Sequence, residues 1–338
     1  MKTLRAIFVG VGGRGRTHLG PWVAHERLDV VGLVDINPEY LAQARAVTGL
    51  PPGACFASLT DALAAVEADT VVIVVHAQLH GRFIREALEA GKHVMVEKPL
   101  TCDLAEAEAL VALAERQHCR LMVTQNKRYL PAARTLRRLL AAETYGRLGF
   151  GHYVNYKARG SAYPVSDHMH LWQMAVHELD ELLATIDRPV VRVAAREFQP
   201  VWGNWPSEST ISAVLEFRDG PTISYLSSSD ARAVGHEFRV ECERGALIHR
   251  ANRVGDEGHL LFVSRAGEQV LALDPPVDPP GTGTGMAELF ARYVLDGVEP
   301  EISGRRNLAT MRLCDAIIRA SQTGQVVEPA GEAVLQPV

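Results

Sequence analysis

The chain is predicted to be an α/β protein, with a doubly wound parallel sheet in its first third and a second α/β domain on a large, mostly antiparallel open sheet. Three observations predict this. Apolar strand-like runs alternate with helix-like segments up to about residue 124, and a glycine-rich turn follows the first strand. Beyond about residue 126, strand-like runs follow one another, joined by turn signals such as Asp219-Gly220-Pro221. With 338 residues the chain can bury two cores, and the domains are set at 1–124 and 125–338.

Each element follows from local composition. Leu4–Val9 is an apolar strand, and the turn after it opens a helix over 14–24. A second apolar strand over 30–34 leads to a helix that Asn37 caps and Pro38 opens. The β-branched run 70–75 reads as a parallel strand buried on both faces. A helix over 80–90 closes at Gly91, followed by a strand over 93–96, a helix over 104–118 and a strand over 120–124. In the second domain, strands are expected over 149–158, 190–198, 209–218, 222–228 and 238–243, with shorter stretches to 263. One long helix, 171–186, interrupts them early. The proline- and glycine-rich stretch 274–285 reads as a solvated connection before helices near 286–295 and 305–323.

The glycine turn carries the first chemistry. Gly10-Val11-Gly12-Gly13-Arg14-Gly15 joins a strand to a helix, so bare backbone and unpaired helix N–H groups meet where a pyrophosphate can be held. Asp35 ends the second strand twenty residues beyond Gly15, placed to accept hydrogen bonds from an adenosine ribose. This is a dinucleotide-binding unit. A formal charge of −5 gives no reason to expect nucleic acid or an anionic membrane as partner, and no apolar run approaches a membrane span. Five scattered cysteines without a C-x-x-C pair read as thiols of a reducing compartment. Without a signal-peptide pattern at the N-terminus, the expected location is the cytoplasm.

The strand over 93–96 ends in Glu97-Lys98-Pro99. In a doubly wound sheet that end faces the cofactor crevice, where an ammonium group can stabilise an alkoxide or polarise a carbonyl.

Here the chain resembles a known family, the glucose–fructose oxidoreductase/inositol dehydrogenase (Gfo/Idh/MocA) group of nicotinamide-dependent oxidoreductases. The resemblance rests on Gly10–Gly15, Asp35, the stretch from Ala87 through Gly91 to Glu97-Lys98-Pro99-Leu100, Asn126-Lys127-Arg128-Tyr129-Leu130-Pro131, and His177-Glu178-Leu179-Asp180. It implies a Rossmann domain followed by an α/β domain whose open sheet face often mediates oligomerisation, here as a homodimer or homotetramer. It also implies NAD or NADP, with a sugar, cyclitol or related polyol as substrate. By position Lys98 and His177 match the catalytic lysine and histidine. Gly10, Gly12, Gly13, Arg14, Gly15, Asp35, His76, His80, Glu97 and Lys98 are assigned to the cofactor. Arg128, Tyr156, His170, Trp172, Gln173 and His177 are assigned to the substrate.

Two departures stand out. Gln173 occupies the place of an aspartate one helical turn before the histidine, where a neutral amide can orient a hydroxyl but cannot raise the imidazole's basicity. Val75-His76-Ala77 replaces the frequent Thr-Pro-Asn. Asp167-His168-Met169-His170 has no closed metal-site spacing and no cysteine partner, so no metal is expected. Asp180 reads as orienting its helix, while Trp202 and Trp205 read as packing residues and Lys157 and Arg159 as lesser substrate candidates.

The expected activity is transfer of a hydride between nicotinamide and a secondary hydroxyl or ketone, with Lys98 on the alkoxide and His177 relaying the proton. Asp35 favours NAD over NADP, because a 2′-phosphate beside it meets like charge. Two other readings stand beside this: an NAD-retaining, redox-assisted lyase or glycosidase, and a non-catalytic NAD- or sugar-binding protein.

Overall fold

The parallel sheet forms where the alternation predicts it. In a computed structural model, which describes residues 3–159, 166–252, 256, 258–276 and 283–331, six strands lie side by side in parallel. They are β1 (Leu4–Val9), β2 (Leu28–Val34), β3 (Cys55–Phe56), β4 (Thr70–Ile73), β5 (His93–Val96) and β6 (Leu121–Val123). Their order is β3-β2-β1-β4-β5-β6. The connecting helices are α1 (Gly13–Val23), α2 (Pro38–Thr48), α3 (Leu59–Ala65), α4 (His80–Glu89) and α5 (Leu104–Arg116). β1 is buried at every position except Arg5, as a central strand covered on both faces must be. The strand order reverses between β1 and β4. Ligands of such sheets bind outside the strand ends at that switch point, which the Gly10 turn and the Val75-His76 loop flank.

The second sheet has eight strands: β7 (Leu148–Ala158), β8 (Val190–Phe198), β9 (Thr210–Phe217), β10 (Thr222–Ser228), β11 (Asp230–Cys242), β12 (Gly245–Ala251), β13 (His259–Ser264) and β14 (Gly267–Leu271). Their order is β14-β13-β12-β11-β7-β10-β9-β8, antiparallel throughout except for the parallel pair of β7 and β10. Alternation gives the sheet two faces. Tyr153 and Asn155 of β7 and Tyr225 of β10 hydrogen-bond to a helix that is buried at every residue, Val176–Ile186. The opposite face carries Phe150 and Val214, both exposed.

Three expectations are corrected. A helix, α6 (Pro131–Ala141), precedes the sheet where only strands were read; Pro131 opens it at a position needing no N–H. The helix expected as one piece over 171–186 begins as a π-turn, Leu171–Ala175, and continues as α7 (Val176–Ile186). The strand read over 238–243 is the C-terminal half of the longer β11.

By its contacts the chain divides into two compact units, 1–126 with 278–308, and 127–277 with 309–338. The sequence reading put everything after residue 124 in the second domain. Residues 278–308 instead group with the first unit, because α8 (Gly283–Ala291) packs on α1. The Phe290 ring lies 5.9 Å from that of Trp22, and the His25 ring meets Glu288 at 2.7 Å. Helix α9 (Gly304–Thr323) follows, and beyond it Val327 pairs with Val193 of β8. Of the expected connection, Asp274 is pinned by Arg138 at 2.8 Å, while residues 277–282 lie outside the described residues. No helix among the described residues is long and apolar enough to cross a membrane.

Candidate functional site

In the first unit the glycines are dictated by space. Gly10 has φ 84°, and a Cβ there would stand 2.2 Å from the Val74 carbonyl oxygen. At Gly15 a Cβ would lie 2.0 Å from the Gly10 carbonyl oxygen, whereas at Gly13 it would meet nothing within 4 Å. The turn is therefore tightly folded on one side and bare on the other. Gly12 caps α1 without a side-chain hydrogen bond, and the first turn holds no acidic residue, so its N–H groups are left for an anion. Asp35 accepts the Val11 N–H and the Asn37 N–H, each at 2.9 Å. It ties the turn to the end of β2 and still has lone pairs for a ribose hydroxyl. These residues fit a dinucleotide. Gly15→Ala is expected to lower NAD affinity at least about tenfold and to cost roughly 1–3 kcal/mol of stability through overpacking, read by NAD titration and urea unfolding.

Behind the turn lies a buried charge cluster. Glu97 accepts from the Arg14 Nε at 3.2 Å, and its Oε1 meets the His18 Nε2 at 2.7 Å. Burial opposes ionisation, yet His18, Arg14 and Lys98 hold the Glu97 carboxyl well below the usual range. Arg14, Thr17, His18, Glu97, Thr124 and Asn126 line a cavity of about 180 Å³. The sequence reading missed His18, although it lies three residues after Gly15, on the same face of α1. Lys98 follows the end of β5 and is half-buried, and His76 is exposed in the loop after β4.

His80 corrects an expectation. It is 1% exposed, with Nδ1 2.7 Å from the Pro99 carbonyl and Nε2 3.2 Å from that of Val75. Burial pushes its pKa down, against the pull of the two backbone carbonyls that its ring nitrogens face. The ring holds the loops after β4 and β5 together and does not present a face to a ligand.

In the second unit the substrate candidates separate. Arg128 grips Asp180 through Nε at 2.8 Å and Nη2 at 2.7 Å, and Thr310 adds a hydrogen bond to the same carboxylate at 2.8 Å. This forked pair joins the two motifs of the family resemblance and places two of the guanidinium's donors on Asp180. His170 is 1% exposed and has both ring nitrogens on serine hydroxyls, Ser229 at 2.8 Å and Ser227 at 3.0 Å. Burial first, then Lys157, takes its pKa down to about 3, so it is a neutral core residue. Trp172 is buried in the π-turn. Tyr156 stands on the sheet face away from α7, because it alternates with Asn155 and Lys157 along β7. His177 opens the first turn of α7, nearly buried, and Gln173 is half-buried one turn before it.

Beside them is a network that the sequence reading missed. Glu178 is fully buried and accepts from Asn155 at 2.5 Å, Tyr225 at 2.7 Å and the Lys157 ammonium. Burial opposes its ionisation, but Lys157, Lys127 and His170 lower its pKa to about 2. Glu181 accepts from the Tyr153 hydroxyl at 3.1 Å, and burial pushes its carboxyl up to about 7. His168 pairs with Glu197 at 2.7 Å, which raises the imidazole's pKa.

Comparison with known proteins adds the lineage. Residues 4–125 match a family model described as an oxidoreductase family with an NAD-binding Rossmann fold, and 133–248 match the GFO/IDH/MocA C-terminal domain. D-apiose dehydrogenase of Paraburkholderia graminis is 26% identical over 97% of this chain and 90% of its own. Inositol 2-dehydrogenase of Rhizobium meliloti is 25% identical over 94% and 97%. The structure of the WlbA dehydrogenase of Bordetella pertussis in complex with NADH and UDP-GlcNAcA superposes with a TM-score of 0.83 at 22% identity, covering 98% of this chain and all of that one.

Proposed function

Since the chain belongs to the GFO/IDH/MocA family of NAD-binding oxidoreductases, we propose that it is an NAD-dependent dehydrogenase acting on a secondary hydroxyl of a sugar, sugar derivative or cyclitol. One observation carries this reading: a bare glycine turn tied to Asp35 shares a parallel sheet with a strand that ends in Glu97-Lys98. The relatives above are named for D-apiose and inositol, both polyhydroxylated. The lyase and binding-protein readings gain no support from relatives named as dehydrogenases.

NAD, when bound, supplies the oxidant. The Gly10–Gly15 backbone and the start of α1 hold the pyrophosphate, and Asp35 takes the ribose, which disfavours a 2′-phosphate. Lys98 stabilises the alkoxide as the alcohol is oxidised, and His177 receives the hydroxyl proton. Gln173 orients a substrate hydroxyl, and as a neutral amide it leaves His177 a weaker base than a carboxylate would.

Cytoplasmic location and a homodimer or homotetramer complete the proposal. All five cysteines are free thiols, and the sheet face away from α7 exposes Phe150, Tyr156, Val214 and Val270 as apolar surface for a second copy. The direct assay is absorbance at the NADH band with purified protein, NAD or NADP, and a panel of sugars and cyclitols. The expected result is reduction with at least one polyol and at least about a tenfold preference for NAD, the scale of about 1.4 kcal/mol. Reduction of neither cofactor, or a preference for NADP, counts against it.

A further inference from the structure

Glu97 directly precedes Lys98, and three donors of the first unit converge on its enclosed carboxylate. Oε1 meets the His18 Nε2 at 2.7 Å and accepts the Arg14 Nε–H at 3.2 Å, while Oε2 accepts the Lys98 backbone N–H at 3.2 Å. The two side-chain donors are unequal. Arg14 stands in the glycine turn with 59% of its side chain exposed, whereas the His18 side chain is 6% exposed on the buried face of α1. An exposed guanidinium at the longer distance is easily drawn away, so His18 is the fixed partner. An ionised carboxylate only accepts, which puts an N–H on His18 Nε2. The His18 Nδ1 has no hydrogen-bond partner among the described residues, so Glu97 is the ring's one polar tie there.

We infer that His18 is a positioning residue for Lys98: it fixes the Glu97 carboxylate, and Glu97 holds the peptide N–H from which the lysine leaves the end of β5. This rests on the proposed dehydrogenase activity and adds a residue to its machinery. Stability alone is a poor reason for the pair, because desolvating two such groups costs much of what their attraction returns, and apolar residues of the same volume often serve as well. Position is a better one. The chain ahead of Lys98 is fixed by the sheet, where the Glu97 N–H meets the Ile73 carbonyl at 2.9 Å and the Val94 N–H that of Arg120 at 2.7 Å. The Lys98 N–H lies one residue beyond that pairing and is held by the Glu97 side chain instead. Displacing a reacting group by about 1 Å can cost about a hundredfold in rate, so the anchor of that peptide bears on turnover.

The test pairs residue-resolved amide hydrogen exchange of the full chain without NAD with steady-state kinetics on a responsive polyol. In His18→Leu the Lys98 amide is expected to exchange about tenfold or more faster while the Val94 amide, paired inside the sheet, stays within about twofold, since only local opening changes. The same variant is expected to lose about tenfold or more in kcat with the KM for NAD within about threefold. His18→Gln carries an amide N–H to the place of Nε2 and should keep most of both values; His18→Asn falls short of Glu97, should behave as His18→Leu, and takes its place if the leucine variant does not fold. An unmoved Lys98 amide, equal acceleration at Val94, unchanged kcat, or His18→Gln as impaired as His18→Asn overturns the inference. Wild-type protein that reduces NAD with no polyol defeats the dehydrogenase reading and this role with it, whereas an active wild type with any of those four results defeats the role of His18 alone.

Discussion

Lys98→Ala is expected to lower NAD-dependent turnover by about a hundredfold or more while NAD affinity stays within a few-fold, since removing one preorganised charge from a developing oxyanion costs roughly 3–4 kcal/mol. The effect should fall on kcat, because the ammonium matters most when the alkoxide forms. Lys98→Arg keeps the charge but not the compact donor, so partial recovery is expected. Steady-state kinetics with a responsive polyol and an independent NAD titration provide the check. Unchanged turnover would falsify the role assigned to Lys98. A parallel loss of NAD binding would move the residue from chemistry to cofactor retention.

Glu178→Leu is expected to be the most destabilising single change in the second unit. The fully buried carboxylate holds Lys157, Asn155 and Tyr225. Removing it leaves an ammonium that is 14% exposed, with its ion-pair partner gone. Breaking one side of a buried pair costs about 3–5 kcal/mol, which in a unit of this size lowers the unfolding temperature by roughly 10 °C. The sign of its pH dependence follows from the lowered pKa. The folded value of about 2 lies below the ordinary 4.5, so the stabilisation is complete above pH 4.5 and is lost as pH falls toward 2. Wild type and Glu178→Leu should therefore differ most near neutrality and converge in acid. A constant gap across that range would mean that packing, not charge, sets the effect.

The parts of this architecture that the sequence shows are those decided locally. Strand-helix alternation placed β1 and α1, and the spacing from Gly15 to Asp35 placed the carboxylate that now holds the Val11 N–H. Those features depend on neighbours within a few residues or on one supersecondary unit. The Glu178 network depends on partners 21, 23 and 47 residues away. Because α7 is buried on every side, its polar residues form no exposed stripe to distinguish them from a solvated face. His170 misled for a related reason. Two closely spaced histidines look reactive until serines 57 and 59 residues further on satisfy one of them. Helix α6 was hidden by its arginines and by the strand-rich composition that follows. Its role is clear only in contact, where Arg138 and Thr135 secure Asp274.

The late return of the chain to the first unit bears on synthesis and on attempts to excise the nucleotide-binding half. Trp22 has no exposure because Phe290 covers one side of it, and Arg27 meets Asp296 at 2.7 Å. At the sheet's outer margin, Met122 of β6 bridges Ser303. A fragment ending near residue 126 would carry the glycine turn but leave an indole bare and a strand margin unprotected. The nascent unit must wait until residues 278–308 have left the ribosome before its outer layer can close.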